Sequence, residues 1–199
     1  MNVSNTTWDV GLFEAMNFDG GQFMDWFMTT VSGVAMWVPL YLLIIYMVWR
    51  RYSWFGVAAF IVAVAAAMGL ADIIAGIFKH AGPLGNIWPD FPVRQRPMFT
   101  ESLVDVHVVS AAGHGQYGTV SAHAATIVSL ALMCCAVLKV RWFRIMMILF
   151  AVLICYSRIY LACHFPQDIL IGALLGLVTG IAGLGLFRWL MQLQESRQK

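Results

Sequence analysis

Charge is what this chain of 199 residues has least of. Its 12 Lys and Arg and 10 Asp and Glu make up 11% of the sequence, against 61% hydrophobic residues. A soluble domain averages about 25% charged residues, so a water-exposed globule is excluded and one membrane-embedded domain is the natural reading. Basic residues are missing altogether before Arg50, and the N-terminal stretch has neither the basic start nor the small-residue cleavage site of a secretory signal. Cysteine is scarce too. Cys134, Cys135 and Cys155 lie inside apolar runs without ligand spacing or loop pairing, which speaks against a disulfide framework and for small apolar fillers. Cys163 borders a polar motif and is the one thiol with a reactive reading. No HExxH run exists and the carboxylates are too scattered for a two-metal site. The chain is therefore expected to need no metal and no cofactor, and to have no nucleic-acid partner.

What is present is apolar length. Runs at about 28–49, 54–78, 121–138, 143–162 and 168–191 each come near the roughly 20 residues that cross a bilayer core. The expected fold is all-α: a polytopic membrane helical bundle of about five spanning helices, preceded by an interfacial helix. Residues 1–27 supply that helix, with Trp8, Leu12, Phe13, Met16, Phe23 and Trp26 set among acidic residues. Residues 28–191 form the transmembrane domain with an outward loop at 80–120, and 192–199 a cytoplasmic tail. The last run carries Gly172, Gly176, Gly180, Gly183 and Gly185, small residues suited to close helix packing. Trp and Tyr at the run ends read as interfacial belts.

The few basic residues sort into two groups. Arg50, Arg51, Lys139, Arg141, Arg144, Arg188, Arg197 and Lys199 flank apolar runs, and with five spans they share one side, the cytoplasm by the positive-inside rule. Lys79, Arg94, Arg96 and Arg158 fall on the opposite side, with the polar segments that hold the histidines.

Three clusters meet there. Lys79 ends the second run, with Arg94 and Arg96-Pro97 in the loop after it. Tyr117-Gly118-Thr119-Val120-Ser121-Ala122-His123 opens the third. Ser157-Arg158, His164 and Asp168 lie between the last two. If a helix opens after Phe165, His164 and Asp168 stand one turn apart on one face. A phosphoryl group in its transition state spreads negative charge over three oxygens, so its catalysts need several cations and backbone donors. Lys79, Arg96 and Arg158 would supply the cations, Ser121 and Ala122 the hydroxyl and N–H groups of a helix start. One histidine would attack phosphorus while another protonates the leaving oxygen. His80, His107 and His114 fit no cluster and read as loop hydrogen-bonders. Asp72 sits inside the second run, a costly place for a carboxylate. It falls on the face of Lys79, either steadying that lysine or joining a packed polar network.

In order and spacing these clusters resemble the type 2 phosphatidic-acid phosphatase superfamily, whose pattern is Lys-x6-Arg-Pro, Pro-Ser-Gly-His and Ser-Arg-x5-His-x3-Asp. The third motif matches in full at Ser157, Arg158, His164 and Asp168. The second has Val120 and Ala122 where the family has Pro and Gly. In the first, the residue seven before Arg96 is Pro89, so Lys79 fills the lysine position across an insertion of about ten residues, or Arg94 substitutes for it.

The resemblance implies a catalytic trio. His164 is the nucleophile that becomes a phosphohistidine, Asp168 its orienting acid and His123 the general acid. Lys79, Arg96, Ser121, Ala122 and Arg158 bind phosphate. It further implies a multi-pass protein of the bacterial inner membrane that removes a terminal phosphate from a lipid at the outer leaflet. Undecaprenyl pyrophosphate is the first candidate. Lipid A, phosphatidylglycerol phosphate and phosphatidic acid follow, then a lipid phosphotransferase and, last, a non-enzymatic lipid binder.

Overall fold

The computed structural model describes residues 7–79, 93–110 and 115–197. Among them are six α-helices: α1 (Thr7–Met16), α2 (Gly21–Ser32), α3 (Val38–Ile77), α4 (Ala122–Leu138), α5 (Arg141–Tyr160) and α6 (Pro166–Arg197). The described residues form no strand beyond one antiparallel bridge, Gln95 to Tyr117. His80, His114 and Pro89 lie outside the described residues.

Segments 35–77, 141–160 and 166–197 are long and apolar enough to cross a membrane, and α4 is a shorter apolar helix. The protein is thus a helical membrane bundle. α3 carries two of the expected runs, because Ser53, at φ 63 and ψ −176, breaks its helical path just after Arg50 and Arg51. The first run starts later than expected. Gly33 is extended (φ −82, ψ 151) and ends α2 at Ser32; a 3-10 turn at Ala35–Trp37 follows, and α3 begins at Val38. Residues 28–32 therefore belong to α2, not to the first span. Trp49, Trp54, Trp142 and Trp189 are all exposed beside the flanking arginines in sequence, as an interfacial belt requires.

The bundle's centre is α6 lying against α4 and α3, and small residues set its depth. A Cβ at Gly172 would stand 2.4 Å from the Ser121 carbonyl oxygen, and one at Gly176 2.4 Å from that of Ala125. At Gly183 it would meet the Ala67 Cβ at 2.7 Å. Without a strong hydrophobic drive between helices in lipid, such close backbone approach is what holds them. Gly185 is different, since nothing lies within 4 Å of its would-be Cβ. The contact Gly172 makes with Ser121 also fixes the start of α4, and so the site, against α6.

The N-terminal segment does more than lie on a surface. α1 exposes Trp8 and Leu12 but buries Asp9, Phe13 and the adjoining Asn17. Asn17 Nδ2 donates to the carbonyls of Tyr160 (2.7 Å) and Ile159 (3.3 Å) at the end of α5. Its Oδ1 accepts the His107 N–H at 2.8 Å. The loop histidine His107 in turn pairs with Asp25 of α2 at 2.8 Å, and Tyr160 donates to the same carboxylate oxygen at 2.6 Å. α1 and α2 thereby clasp the C-terminal end of α5.

Gly176→Val should overpack this seam and destabilise the bundle by roughly 1–3 kcal/mol, while Gly185→Val should leave it within about 0.5 kcal/mol. Thermal unfolding of both variants in one detergent checks the contrast; equal midpoints would contradict the packing described.

Candidate active site

The motif between α5 and α6 is folded back onto the helix it follows. Ala162 takes a positive φ of 52, which brings two N–H groups, those of Cys163 (2.9 Å) and His164 (3.2 Å), onto the Arg158 carbonyl. That closure satisfies an orphan carbonyl of the helix end. It leaves Tyr160, Ala162, Cys163 and Phe165 fully buried and His164 nearly so. Burial pushes the Cys163 thiol above its ordinary range, so its reactive reading is not supported. Ser157 is equally enclosed, its hydroxyl donating to the Ile154 carbonyl at 2.7 Å.

His164 is held by both ring nitrogens. Nδ1 lies 3.0 Å from the Gly118 carbonyl and 3.4 Å from Asp168 Oδ2, one helical turn on, while Nε2 lies 3.1 Å from the Arg96 guanidinium. A carbonyl only accepts and a guanidinium only donates. The partners therefore dictate the tautomer: the proton sits on Nδ1 and the lone pair on Nε2. Burial, with Arg96 and Arg158 beside it, holds the imidazole well below the ordinary histidine pKa. Asp168 is oriented by accepting the Phe165 N–H at 3.1 Å.

His164 lines a cavity of about 450 Å³ together with Lys79, Arg96, Arg158, Ala122 and His123. Arg96 is fixed by donating to the Gly115 carbonyl (2.7 Å) and the Cys163 carbonyl (2.9 Å). Arg158 donates to the Ser32 hydroxyl, and its buried Nε has no hydrogen-bond partner among the described residues. A guanidinium so enclosed is stabilised by an anion. Lys79 is held below its usual pKa by burial first and then by Arg96, while Asp72 pulls the other way. The cavity is thus a nest of cations that is electrostatically short of negative charge.

Two expected ligands are placed differently. Ser121 is buried, and its hydroxyl accepts the Ala124 N–H at 3.3 Å as the N-cap of α4. It does not line the cavity, although its neighbours Ala122 and His123 do. Arg94 does not line it either. Its guanidinium meets Asp9 Oδ2 at 2.5 Å and Asp168 Oδ1 at 3.6 Å, and stacks 3.5 Å over the Phe165 ring. Of the two residues weighed for the first-motif cation, Lys79 lines the cavity and Arg94 supports Asp168, the partner of His164.

Asp9 and Gly118 escaped sequence reasoning. Asp9 is fully buried, and its second oxygen accepts the Gln167 N–H in the first turn of α6 at 2.8 Å. In the sequence it is one of several acids in an amphipathic stretch, with no signal of its own. Gly118 was legible only as part of a polar run. A Cβ there would stand 2.9 Å from Arg96 Cγ and 3.1 Å from His164 Cε1, so only glycine lets its carbonyl reach Nδ1.

Comparisons with known proteins place the chain in a family. The PAP2 superfamily model matches residues 60–192, and the chain belongs to that family. It is 32% identical over 156 residues to a lipid A 4′-phosphatase of Bacteroides thetaiotaomicron, covering 77% of this chain and 65% of that protein. A lipid A 4′-phosphatase of Porphyromonas gingivalis is 31% identical over 48% of this chain and 41% of its own length. The chain therefore spans less than two thirds of these two relatives. An undecaprenyl-diphosphatase of Sulfolobus acidocaldarius is 25% identical over 86% of this chain and 75% of its own. In fold, the crystal structure of Aquifex aeolicus LpxE matches with a TM-score of 0.66 at 22% identity, covering 93% of this chain and 99% of that one.

Because His164 is held neutral, the acid limb of kcat/KM should fall well below the ordinary histidine value of about 6.5. Phosphate release followed from acid to neutral pH, corrected for the substrate's own ionisation near ~6, checks this; a limb at or above ~6.5 contradicts it. Asp9→Ala should take the nearer of its two carboxylates from a buried Arg94 and destabilise the protein by about 3 kcal/mol. Arg94→Met in the same chain should recover much of that loss in thermal unfolding.

Proposed function

We propose that this protein hydrolyses a phosphate monoester from a membrane lipid through a phosphohistidine on His164. The observation that carries the reading is the His164 geometry: Nδ1 held as the donor by the Gly118 carbonyl, an unprotonated Nε2 beside Arg96, and the residue lining a cavity with three cations. Lys79, Arg96 and Arg158 hold the phosphate oxygens and neutralise the charge that grows in the transition state. The His164 Nε2 lone pair forms the bond to phosphorus as the bond to the leaving oxygen breaks, and His123 gives that oxygen its proton. The imidazole, now carrying phosphoryl on Nε2 and a proton on Nδ1, is positive, and Asp168 and the Gly118 carbonyl stabilise it. Water, deprotonated by His123, then attacks phosphorus and returns the lone pair to Nε2. Ser121 serves this scheme by starting α4, which presents the Ala122 N–H and the His123 side chain.

The substrate favoured is lipid A or a close glycolipid phosphate. The family resemblance puts undecaprenyl pyrophosphate first, yet the relatives named for lipid A are 32% and 31% identical, against 25% for the one named for the polyprenyl lipid. The cation-bearing end of the bundle lies opposite the arginine-flanked ends, which supports a site at the outer face of a bacterial inner membrane.

Phosphate release by the detergent-solubilised protein, with EDTA present, tests the reading on lipid A, undecaprenyl pyrophosphate, phosphatidylglycerol phosphate and phosphatidic acid. Release should be fastest from lipid A, should be inhibited by vanadate and should fall by at least 10³-fold in His164→Ala. Release that survives in His164→Ala, or that needs magnesium, contradicts the proposed chemistry.

A further inference from the structure

The phosphate cavity does not end at its cations. It continues into a groove of about 180 Å³ walled by Val31, Trp37, Tyr41, Met68, Ile127 and Leu130. Ser32, Gly33, Asp72, Ala122 and His123 line both spaces. These five form a neck, with three cations on one side and hydrocarbon walls on the other. A lipid phosphate is the ligand with that polarity, and its tail is the occupant of the groove.

Asp72 is the anomaly in the neck. A carboxylate within a spanning helix is costly to keep, and one beside a phosphate site repels what the cations attract. It is not packed into a polar network; it is exposed, facing the shared space. Its pull on Lys79 acts through space, which leaves its place at the mouth of an apolar groove unaccounted for.

We propose that the neck reads the lipid headgroup. The phosphate sits among Lys79, Arg96 and Arg158, a hydrocarbon chain fills the groove, and the Asp72 carboxylate accepts a hydrogen bond from a hydroxyl or amide on the segment joining them. An acylated amino-sugar phosphate carries such donors, amide N–H groups and hydroxyls, within a few bonds of its phosphate. Undecaprenyl pyrophosphate carries only hydrocarbon there, and phosphatidic acid only ester groups. Against those lipids the carboxylate loses water and gains no donor, and a site built to bond a donor rejects analogues that lack it. The inference rests on the lipid phosphatase reading and narrows it to donor-bearing headgroups.

The test measures kcat/KM of the full-length protein and its Asp72→Asn and Asp72→Ala variants in mixed micelles. Lipid A and phosphatidylglycerol phosphate are the donor-bearing substrates, the latter through its glycerol hydroxyl; phosphatidic acid and undecaprenyl pyrophosphate are the donor-free ones. Asp72→Ala should lower the donor-bearing to donor-free ratio about tenfold, the scale of one hydrogen bond to a charged group. Asp72→Asn should lower it less, because its amide oxygen still accepts, and its near-identical shape keeps the comparison valid if the alanine variant misfolds. Parallel losses on all four lipids would assign Asp72 to Lys79 or His123 and overturn the inference, as would an unchanged ratio. Wild-type protein inert on lipid A but active on phosphatidylglycerol phosphate would overturn only the lipid A reading. A lowered ratio of phosphatidylglycerol phosphate to phosphatidic acid would then still support the neck. Wild-type protein inert on all four would overturn the phosphatase reading and this inference with it.

Discussion

The contact between Arg96 and His164 Nε2, 3.1 Å long, is the interaction the rest of the site is built around. It is possible only while the imidazole is neutral. At an effective dielectric near 20, two unit charges at such a distance repel by several kcal/mol, so the guanidinium itself keeps Nε2 unprotonated and available. The Gly118 carbonyl then fixes the other nitrogen as the donor. An imidazole lone pair and a nearby cation are thus provided together, and the cation that suppresses protonation is one that a bound phosphate would meet. Phosphate entering the cavity would replace the imidazole as the partner of Arg96 and relieve the mutual repulsion of Lys79, Arg96 and Arg158.

That arrangement has to be stable without its anion, and the scaffold shows how. Arg96 is tied to two backbone carbonyls, so its charge is directed by fixed dipoles. Arg94, which would add a fourth positive charge to the cavity, is turned away and neutralised by Asp9 and Asp168. The seam of α6 against α4 does the remaining positioning: Gly172 at the Ser121 carbonyl locks the strand-like approach to α4, and the Ser121 N–H donates to the Asp168 carbonyl at 3.2 Å. His123 and Asp168 therefore ride on two helices whose separation glycine sets, and His164 stands in the turn just before the second of them.

How much of this could be read from residues alone follows a physical division. Apolar length gave the helices, because backbone in lipid must satisfy itself. The spacing of His164 and Asp168 gave their contact, because i and i+4 share a helix face. Boundaries governed by one backbone conformation were missed: Gly33 ends α2 early by being extended, something composition does not encode. Sorting Lys79 from Arg94 needed three dimensions, since both are cations of the first cluster and the contacts with Asp9 and Asp168 that turn Arg94 away exist only in the fold. Asp9 itself could not be found, because its role arises from a contact across 85 residues. Ser121 shows the opposite limit: its residue type suits phosphate, and the same chemistry suits the N-cap position it fills.

Asp72 brings these strands together. The sequence marked it as costly and left two structural roles open, and neither requires it to face a shared mouth between cations and hydrocarbon. Phosphate chemistry alone would be served better by an asparagine or an alanine at that place, which would spare the substrate a repulsive neighbour. A carboxylate kept there is explained by something it gains from the ligand, and the gain has to exceed its repulsion of a phosphate held by three cations. A hydrogen bond to a charged acceptor contributes about 1.5–3 kcal/mol, whereas the repulsion is offset by the attraction between Asp72 and Lys79, which favours the charged lysine. Specificity for a headgroup with donors therefore follows from the same imbalance of charge that makes the cavity a phosphate site.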